Sequence, residues 1–144
     1  MHYWLMKSEP DTFSWDDQVK RGAKGEPWTG VRNHQAKANM LAMKKGDHAF
    51  FYHSNEGKEI VGIVEVIREA YADPTDASAR FVCVDVKALM PLKTPVTLVA
   101  AKADKRLKEM VLVNNSRLSV QPVSAAEWRI VCAKGGVEGG VDGA

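Results

Sequence analysis

Trp28-Thr29-Gly30-Val31-Arg32-Asn33 and Phe50-Phe51-Tyr52-His53-Ser54-Asn55 bracket the stretch Trp28 to Val66, whose reading decides the fold. The first is a glycine-containing turn that feeds a helix; the second is an apolar strand that turns polar at its C-terminal edge. Between them Ala36, Met40, Leu41 and Met43 fall near helical spacing and Gly46 follows two lysines, so a helix is expected over 35–45. Asp47 to Tyr52 and Ile60 to Val66 read as strands joined by the turn Asn55-Glu56-Gly57-Lys58, an antiparallel hairpin. The two polar ends are expected at one mouth. There Trp28 supplies a flat apolar wall and the strand ends supply hydrogen bonds, surfaces that suit a flat heterocycle.

Upstream, Tyr3 to Met6 suits a buried strand that breaks at Lys7-Ser8-Glu9-Pro10, since proline cannot extend a ladder. Thr12 or Ser14 can cap a short helix through about Val19, with Asp16 and Asp17 in the first turn. Downstream, Arg68 to Ala79 reads as a polar connection and Phe81 to Val86 as a β-branched strand, with Pro91 and Pro95 framing the next loop. Short helical pieces are expected over 97–103 and 105–110. Arg117 to Val123 alternates polar and apolar, a half-buried strand with Arg117, Ser119 and Gln121 on one face. Ser124-Ala125-Ala126-Glu127 has the spacing of a capping box, so a C-terminal helix carrying Trp128, Ile130 and Val131 should start there. The result is a strand-dominated α+β domain over 1–133, its sheet curling toward a barrel, followed by a flexible glycine-rich tail over 134–144.

With 144 residues, one ordinary domain is expected, and a net charge of +2 permits a nucleic-acid partner without announcing one. The N-terminus lacks a long apolar stretch and a small-residue cleavage site, and no window reaches transmembrane length, so a cytoplasmic protein with no membrane partner is expected. Cys83 and Cys132 form no metal spacing and read as small buried hydrophobes. Of the four tryptophans, Trp4, Trp15 and Trp128 suit the core, whereas Trp28, in a Gly/Pro-bearing loop, is the one to line a site.

Catalytic motifs are missing from the chain. There is no P-loop, GxGxxG, GxSxG or HExxH, and His2, His34, His48 and His53 lack ligand spacing, so neither a metal nor a cofactor is expected. His53 and Ser54, adjacent on a strand, point to opposite faces and make a poor base–nucleophile pair.

These residues also carry a family resemblance. Tyr3 to Pro10, Trp28-Thr29-Gly30-Val31-Arg32-Asn33-His34-Gln35-Ala36, Gly46-Asp47 with Phe50 to Ser54, Gly62-Ile63, and Arg117 to Val123 with Glu127-Trp128 resemble the EVE domain, in order, over about 1–133. EVE domains belong to the PUA-like superfamily, with YTH and ASCH domains. The resemblance implies a mostly antiparallel β pseudo-barrel with flanking helices, and recognition of modified bases in nucleic acid, including oxidised or methylated cytosine in DNA. It also implies a pocket lined by Lys7, Ser8, Glu9, Trp28, Val31, Arg32, Asn33, His53, Ser54, Asn55, Arg117, Ser119 and Gln121. The segment 74–82 is shorter than in many members, so rim contacts made there are expected to be absent.

The function expected is that of a monomeric, non-enzymatic binding module. A modified base, of cytosine in DNA sooner than in RNA, is flipped into the pocket, stacks on Trp28 and is read at its edge by Ser8, Asn33, Ser54 or Gln121, while Lys7, Arg32 and Arg117 meet phosphates. Two alternatives stand beside it. One is an enzyme acting on nucleic acid or nucleosides, with His53 and Glu9 or Glu56 as acid–base groups; the other is a protein-interaction module with a vestigial pocket.

Overall fold

The structure is a computed structural model that describes residues 1–137. In chain order it runs β1 (Tyr3–Ser8), α1 (Trp15–Lys20), β2 (Glu26–Pro27), α2 (His34–Ala42), β3 (His48–His53), β4 (Glu59–Ala72), β5 (Val82–Thr97), α3 (Leu98–Ala103), α4 (Val111–Asn114), β6 (Val120–Val123) and α5 (Ala125–Lys134). The strands form one sheet in the order β2-β5-β4-β3-β1-β6. Among the described residues only β1 and β3 pair parallel; the other pairs are antiparallel. A parallel pair needs a crossover, here the whole path through α1, β2 and α2.

Alternation on the central strands sorts side chains to two cores. Leu5, Phe50, Tyr52 and Ile63 join Trp128 and Val131 of α5 on one face. Trp4, Met6, Ala49, Phe51 and Val64 join Trp15, Trp28 and Met40 on the other. Helix α2 touches β4, β5 and β6. Since β5 and β6 lie near opposite edges of the sheet, one helix reaches both only because the sheet curls around it. This is the PUA-like arrangement, a curled and mostly antiparallel sheet with flanking helices.

Several boundaries differ from the sequence reading. Helix α2 covers 34–42 rather than 35–45, because the buried Asp47 carboxylate takes the Lys44 N–H at 2.9 Å and turns the chain early. The same carboxylate accepts from Trp4 Nε1 at 3.1 Å and from His2 N at 3.2 Å. The polar run 68–79 was expected to be a connection, but β4 continues through it to Ala72, with register shifts that turn Arg68 and Glu69 to solvent. Pro91 and Pro95 lie inside β5, not in a loop. The pairing there jumps from Ile60–Val96 to Gly62–Pro91, so Pro95 falls in the irregularity and Pro91 at its edge. A short 3-10 turn at Lys105–Leu107 and α4 replace the helix expected over 105–110.

Strand β6 begins only at Val120, because Ser116 to Ser119 turn over the end of β1 with Lys7 N bonded to Ser119 O at 2.9 Å. The expected capping box of Ser124 with Glu127 forms, and of the two candidate caps for α1 it is Ser14 that serves, in a capping box with Asp17. Residues 134–137, expected in the tail, belong to the fold. Gly136 N bonds Ala133 O and Val137 N bonds Cys132 O, a Schellman closure that seats Val137 in the core; the rest of the tail, 138–144, lies outside the described residues.

Candidate functional site

At the C-terminal end of β1 a cleft of about 530 Å³ opens between residues 7–13 and 26–32, with Arg21 and Ser119 at its sides. The volume suits a small ligand or a single base. Ser8 Oγ donates to Phe13 O at 2.5 Å, and Glu9 O accepts from Thr12 N and Phe13 N, so the chain leaving β1 folds back and puts Phe13 against the opposite wall. That wall is Trp28, whose N–H donates to Val84 O at 2.7 Å and whose ring stands edge-to-face with Phe13 and with Phe51, centroids 6.4 and 5.5 Å away. The loop placement of Trp28 thus has an internal explanation. Trp28 is 7% exposed and lines the cleft.

Asp73 sets the shape of the 28–32 wall. Its side chain is 0% exposed, and its Oδ2 accepts from Gly30 N at 2.8 Å and from an Arg32 guanidinium nitrogen at 3.0 Å. Oδ1 takes the Thr75 N–H at 2.7 Å and the Thr75 hydroxyl at 2.6 Å. Burial alone would raise this carboxyl, but the Thr75 and Gly30 hydrogen bonds and Arg32 outweigh it and hold the pKa at about 2. Gly30, at φ +84°, adopts a left-handed conformation that lets its N–H aim at the carboxylate. Arg32 also donates to Thr75 Oγ1 at 3.0 Å, so the short 74–82 segment, whose rim contacts were expected to be absent, makes one through Thr75.

Three cations reach the cleft. Lys7 Nζ donates to Ser116 O at 2.8 Å and lies 5.6 Å from the Tyr52 ring centroid, and burial lowers its pKa. Arg21 pairs with Glu26 at 2.9 Å and rests over Phe13. Arg32 is 39% exposed and combines its Asp73 bond with a face toward solvent.

Of the thirteen residues named from sequence, Lys7, Ser8, Glu9, Trp28, Val31, Arg32 and Ser119 line this cleft. The other six are placed elsewhere. Asn33 is the N-cap of α2, its Oδ1 accepting from Ala36 N at 2.9 Å. His53 pairs with Ser8 across β1 and β3, but its Nε2 accepts the Trp15 N–H at 3.0 Å, so the start of α1 covers it. Burial lowers its pKa against the opposing pull of Glu59 and Asp16. Ser54 N donates to Ser8 O, and Asn55, at φ +71°, forms the exposed hairpin turn. Arg117 is exposed beyond the cleft, and Gln121 is 0% exposed with Nε2 donating to Leu118 O at 2.8 Å. No metal-holding group of three His, Cys, Asp or Glu occurs among the described residues.

The sequence reading missed Thr12, Phe13, Arg21, Glu26, Pro27, Thr29 and Gly30 as lining residues, and Asp73 behind them. Phe13 offered a signal, an aromatic in a polar turn just as Trp28 is. Asp73 offered only a turn motif, Asp73-Pro74-Thr75-Asp76, with nothing to indicate a partner 43 positions away.

A model of the EVE domain matches residues 2–134. The chain belongs to the EVE domain family. Thymocyte nuclear protein 1 of Gallus gallus is 37% identical over 161 residues, covering 90% of this chain and 66% of that protein, so the chain spans slightly under two thirds of it. Among solved structures, Rpa0253 from Rhodopseudomonas palustris is 67% identical, with a TM-score of 0.91 over 96% of this EVE domain and 95% of that chain. The human THYN1 protein, crystallised in complex with 5-methylcytosine-containing DNA, is 32% identical, with a TM-score of 0.87 over 94% and 98%. A YTH domain from Zygosaccharomyces rouxii, 15% identical with a TM-score of 0.57 over 93% and 86%, shares the fold.

Proposed function

We propose that this EVE domain is a binding module that reads a modified base in DNA, a modified cytosine, taken out of its stack into the cleft beside Trp28. The observation that carries the reading is the cleft itself. Aromatic walls from Phe13 and Trp28, hydroxyls from Ser8, Thr12, Thr29 and Ser119, and three cations converge on one opening. The complex of the human relative with 5-methylcytosine DNA supports the ligand class.

Flipping a base costs a few kcal/mol, which contacts to its faces and edge offset. Phe13 and the uncovered part of Trp28 meet the apolar surface of the base. Ser8 Oγ donates to Phe13 O and keeps acceptor capacity for an exocyclic amine. Arg32, oriented by Asp73, and Lys7 face the backbone. The module acts as a monomer, without catalysis; the His53 that an enzymatic role would need is committed to Trp15 N–H.

The test is a titration against matched oligonucleotides carrying cytosine or 5-methyl-, 5-hydroxymethyl- or 5-carboxylcytosine, at two salt concentrations. Selective binding to one modified strand is expected, weakening as salt rises with a log–log slope of about −0.7 to −0.9 per phosphate contacted. Ser119→Phe, which fills the cleft from a half-buried position, should abolish the selectivity. Equal, weak binding to every strand would sink the proposal.

A further inference from the structure

On the Arg32 side of the cleft stands a second aromatic group surrounded by positive charge. Phe81, immediately before β5, is half-buried, and the exposed His34 ring lies across it with centroids 5.1 Å apart and planes inclined by 32°. The Arg32 guanidinium and the Lys37 ammonium lie 5.5 and 5.8 Å from the same ring centroid. Phe81 is presented rigidly. Its N–H donates to Asp76 Oδ2 at 2.8 Å, and its carbonyl accepts from Asp73 N at 3.0 Å.

Of the neighbouring carboxylates, Asp76 is turned into the segment, whereas Asp73 pairs with Arg32 at 3.0 Å and offsets part of its charge. Asp76 accepts from Ser78, Arg80 and Phe81, while Asp73 accepts from Gly30, Arg32 and Thr75. Arg32 belongs to both places, lining the cleft and lying over Phe81. Two sites that share one guanidinium are close enough for successive nucleotides of one strand.

We infer that Phe81 and His34 form a second subsite, which stacks the base adjacent to the flipped one while Arg32 and Lys37 hold the phosphate between them. The inference rests on the reading of the cleft as a base pocket. Every base has a π-face, so stacking here adds affinity with little sequence preference, and the cations strengthen it. An acidic peptide would satisfy the cations but leave two stacked rings without a partner, so a nucleotide is the better occupant.

The experiment uses single-stranded DNA carrying one 5-methylcytosine, with either an ordinary nucleotide or an abasic residue on its 5′ or 3′ side, against wild type and Phe81→Leu. Leucine keeps the apolar anchor and removes the π-face. An abasic residue on one flank should weaken wild-type binding about five- to tenfold, the lower part of the range for base–aromatic stacking. Phe81→Leu should lose the same factor on the intact strand and nothing further on the abasic one, with its preference for methylated over unmethylated strands unchanged. His34→Ala, at an exposed position, should move binding in the same direction should Phe81→Leu fail to fold.

Wild-type affinity for the intact strand retained in both variants, or an abasic penalty that persists in full, overturns the subsite. Competition by a polyglutamate peptide equal to that by unmodified DNA overturns it in favour of a protein partner. Failure of the pocket reading shows separately, as a wild type that makes no distinction between methylated and unmethylated strands while the Phe81-dependent flank penalty remains.

Discussion

Phe50 and Phe51 are neighbours on β3, yet the regions they anchor end differently. Phe50 stacks on Trp128 with centroids 3.9 Å apart and planes 17° from parallel, and Trp128 stacks in turn on Tyr3 at 4.5 Å. Helix α5 lies over that stack, and Phe50 and Trp128 are fully buried. Phe51 meets Trp15 and Trp28 edge-on, at 5.4 and 5.5 Å, under a cover shared by the start of α1 and the loops that carry Phe13 and Trp28. A helix satisfies its own backbone and can lie flush on a sheet. Loops must find partners for their backbone groups elsewhere, here Glu9 O, Asp73 and Val84 O, and the space they leave is the cleft. One alternating strand thus backs both a sealed core and, through Phe51 against Trp28, one wall of a site, and the covering elements decide which is which.

The strongest way to break this contrast is to truncate the sealed side. Trp128→Ala should lower unfolding free energy by about 3–5 kcal/mol in urea denaturation, while the folded fraction keeps its preference for modified over unmodified DNA. Loss of that preference would mean that the two faces are one functional unit. Asp73→Asn sharpens the contrast from the site side, at an expected cost of about 2 kcal/mol. In the wild type the folded pKa of Asp73 lies below its unfolded value, so its contribution is present above about pH 4 and is lost as pH falls toward 2. Urea midpoints measured from pH 2.5 to 6 should show that step in the wild type and a shallower slope in the variant.

The smallest effect belongs to His53, whose Nε2 must stay unprotonated to accept from Trp15 N. Its folded pKa is lowered, so this stabilisation is present above about pH 6.5 and fades as pH falls below it. The loss should be under about 1 kcal/mol and absent in His53→Gln. DNA binding should not follow the same titration, because His53 lies outside the cleft. A binding curve that tracks it would return His53 to the site.

Local signals are legible in the amino-acid order alone. The capping box at Ser124, the cap of α1 at Ser14, the hairpin at 55–58 and the alternation in Phe50-Phe51-Tyr52 depend on residues within a few positions of each other, and they stand where they are expected. Half of the candidate site is legible for a related reason: Lys7, Ser8 and Glu9 end an apolar strand, and Trp28 to Arg32 form a turn with an aromatic. The six residues that fall outside the cleft are also polar residues at element ends, but the fold places them elsewhere, some in its own hydrogen bonds and some in exposed turns. Asn33 caps a helix, His53 accepts the Trp15 N–H, and Gln121 is buried and donates to Leu118 O. A capping residue and a ligand-binding residue share the same chemistry, so composition at an element end cannot separate them.

What the sequence by itself determined is most of the local elements and the residues they turn inward, because periodicity, caps and turns act over a few residues, and a run of motifs whose order resembles one family. What only the tertiary structure decided is how those elements meet. The parallel pairing of β1 with β3 brings Ser8 beside His53, the jump in register carries β5 past two prolines, and Asp73 reaches back to Gly30 and Arg32 to shape the cleft. Each of these joins residues tens of positions apart. Such contacts form only when burial of the two cores compensates the entropy of closing the chain between them, a balance set by the whole fold and written in no single stretch.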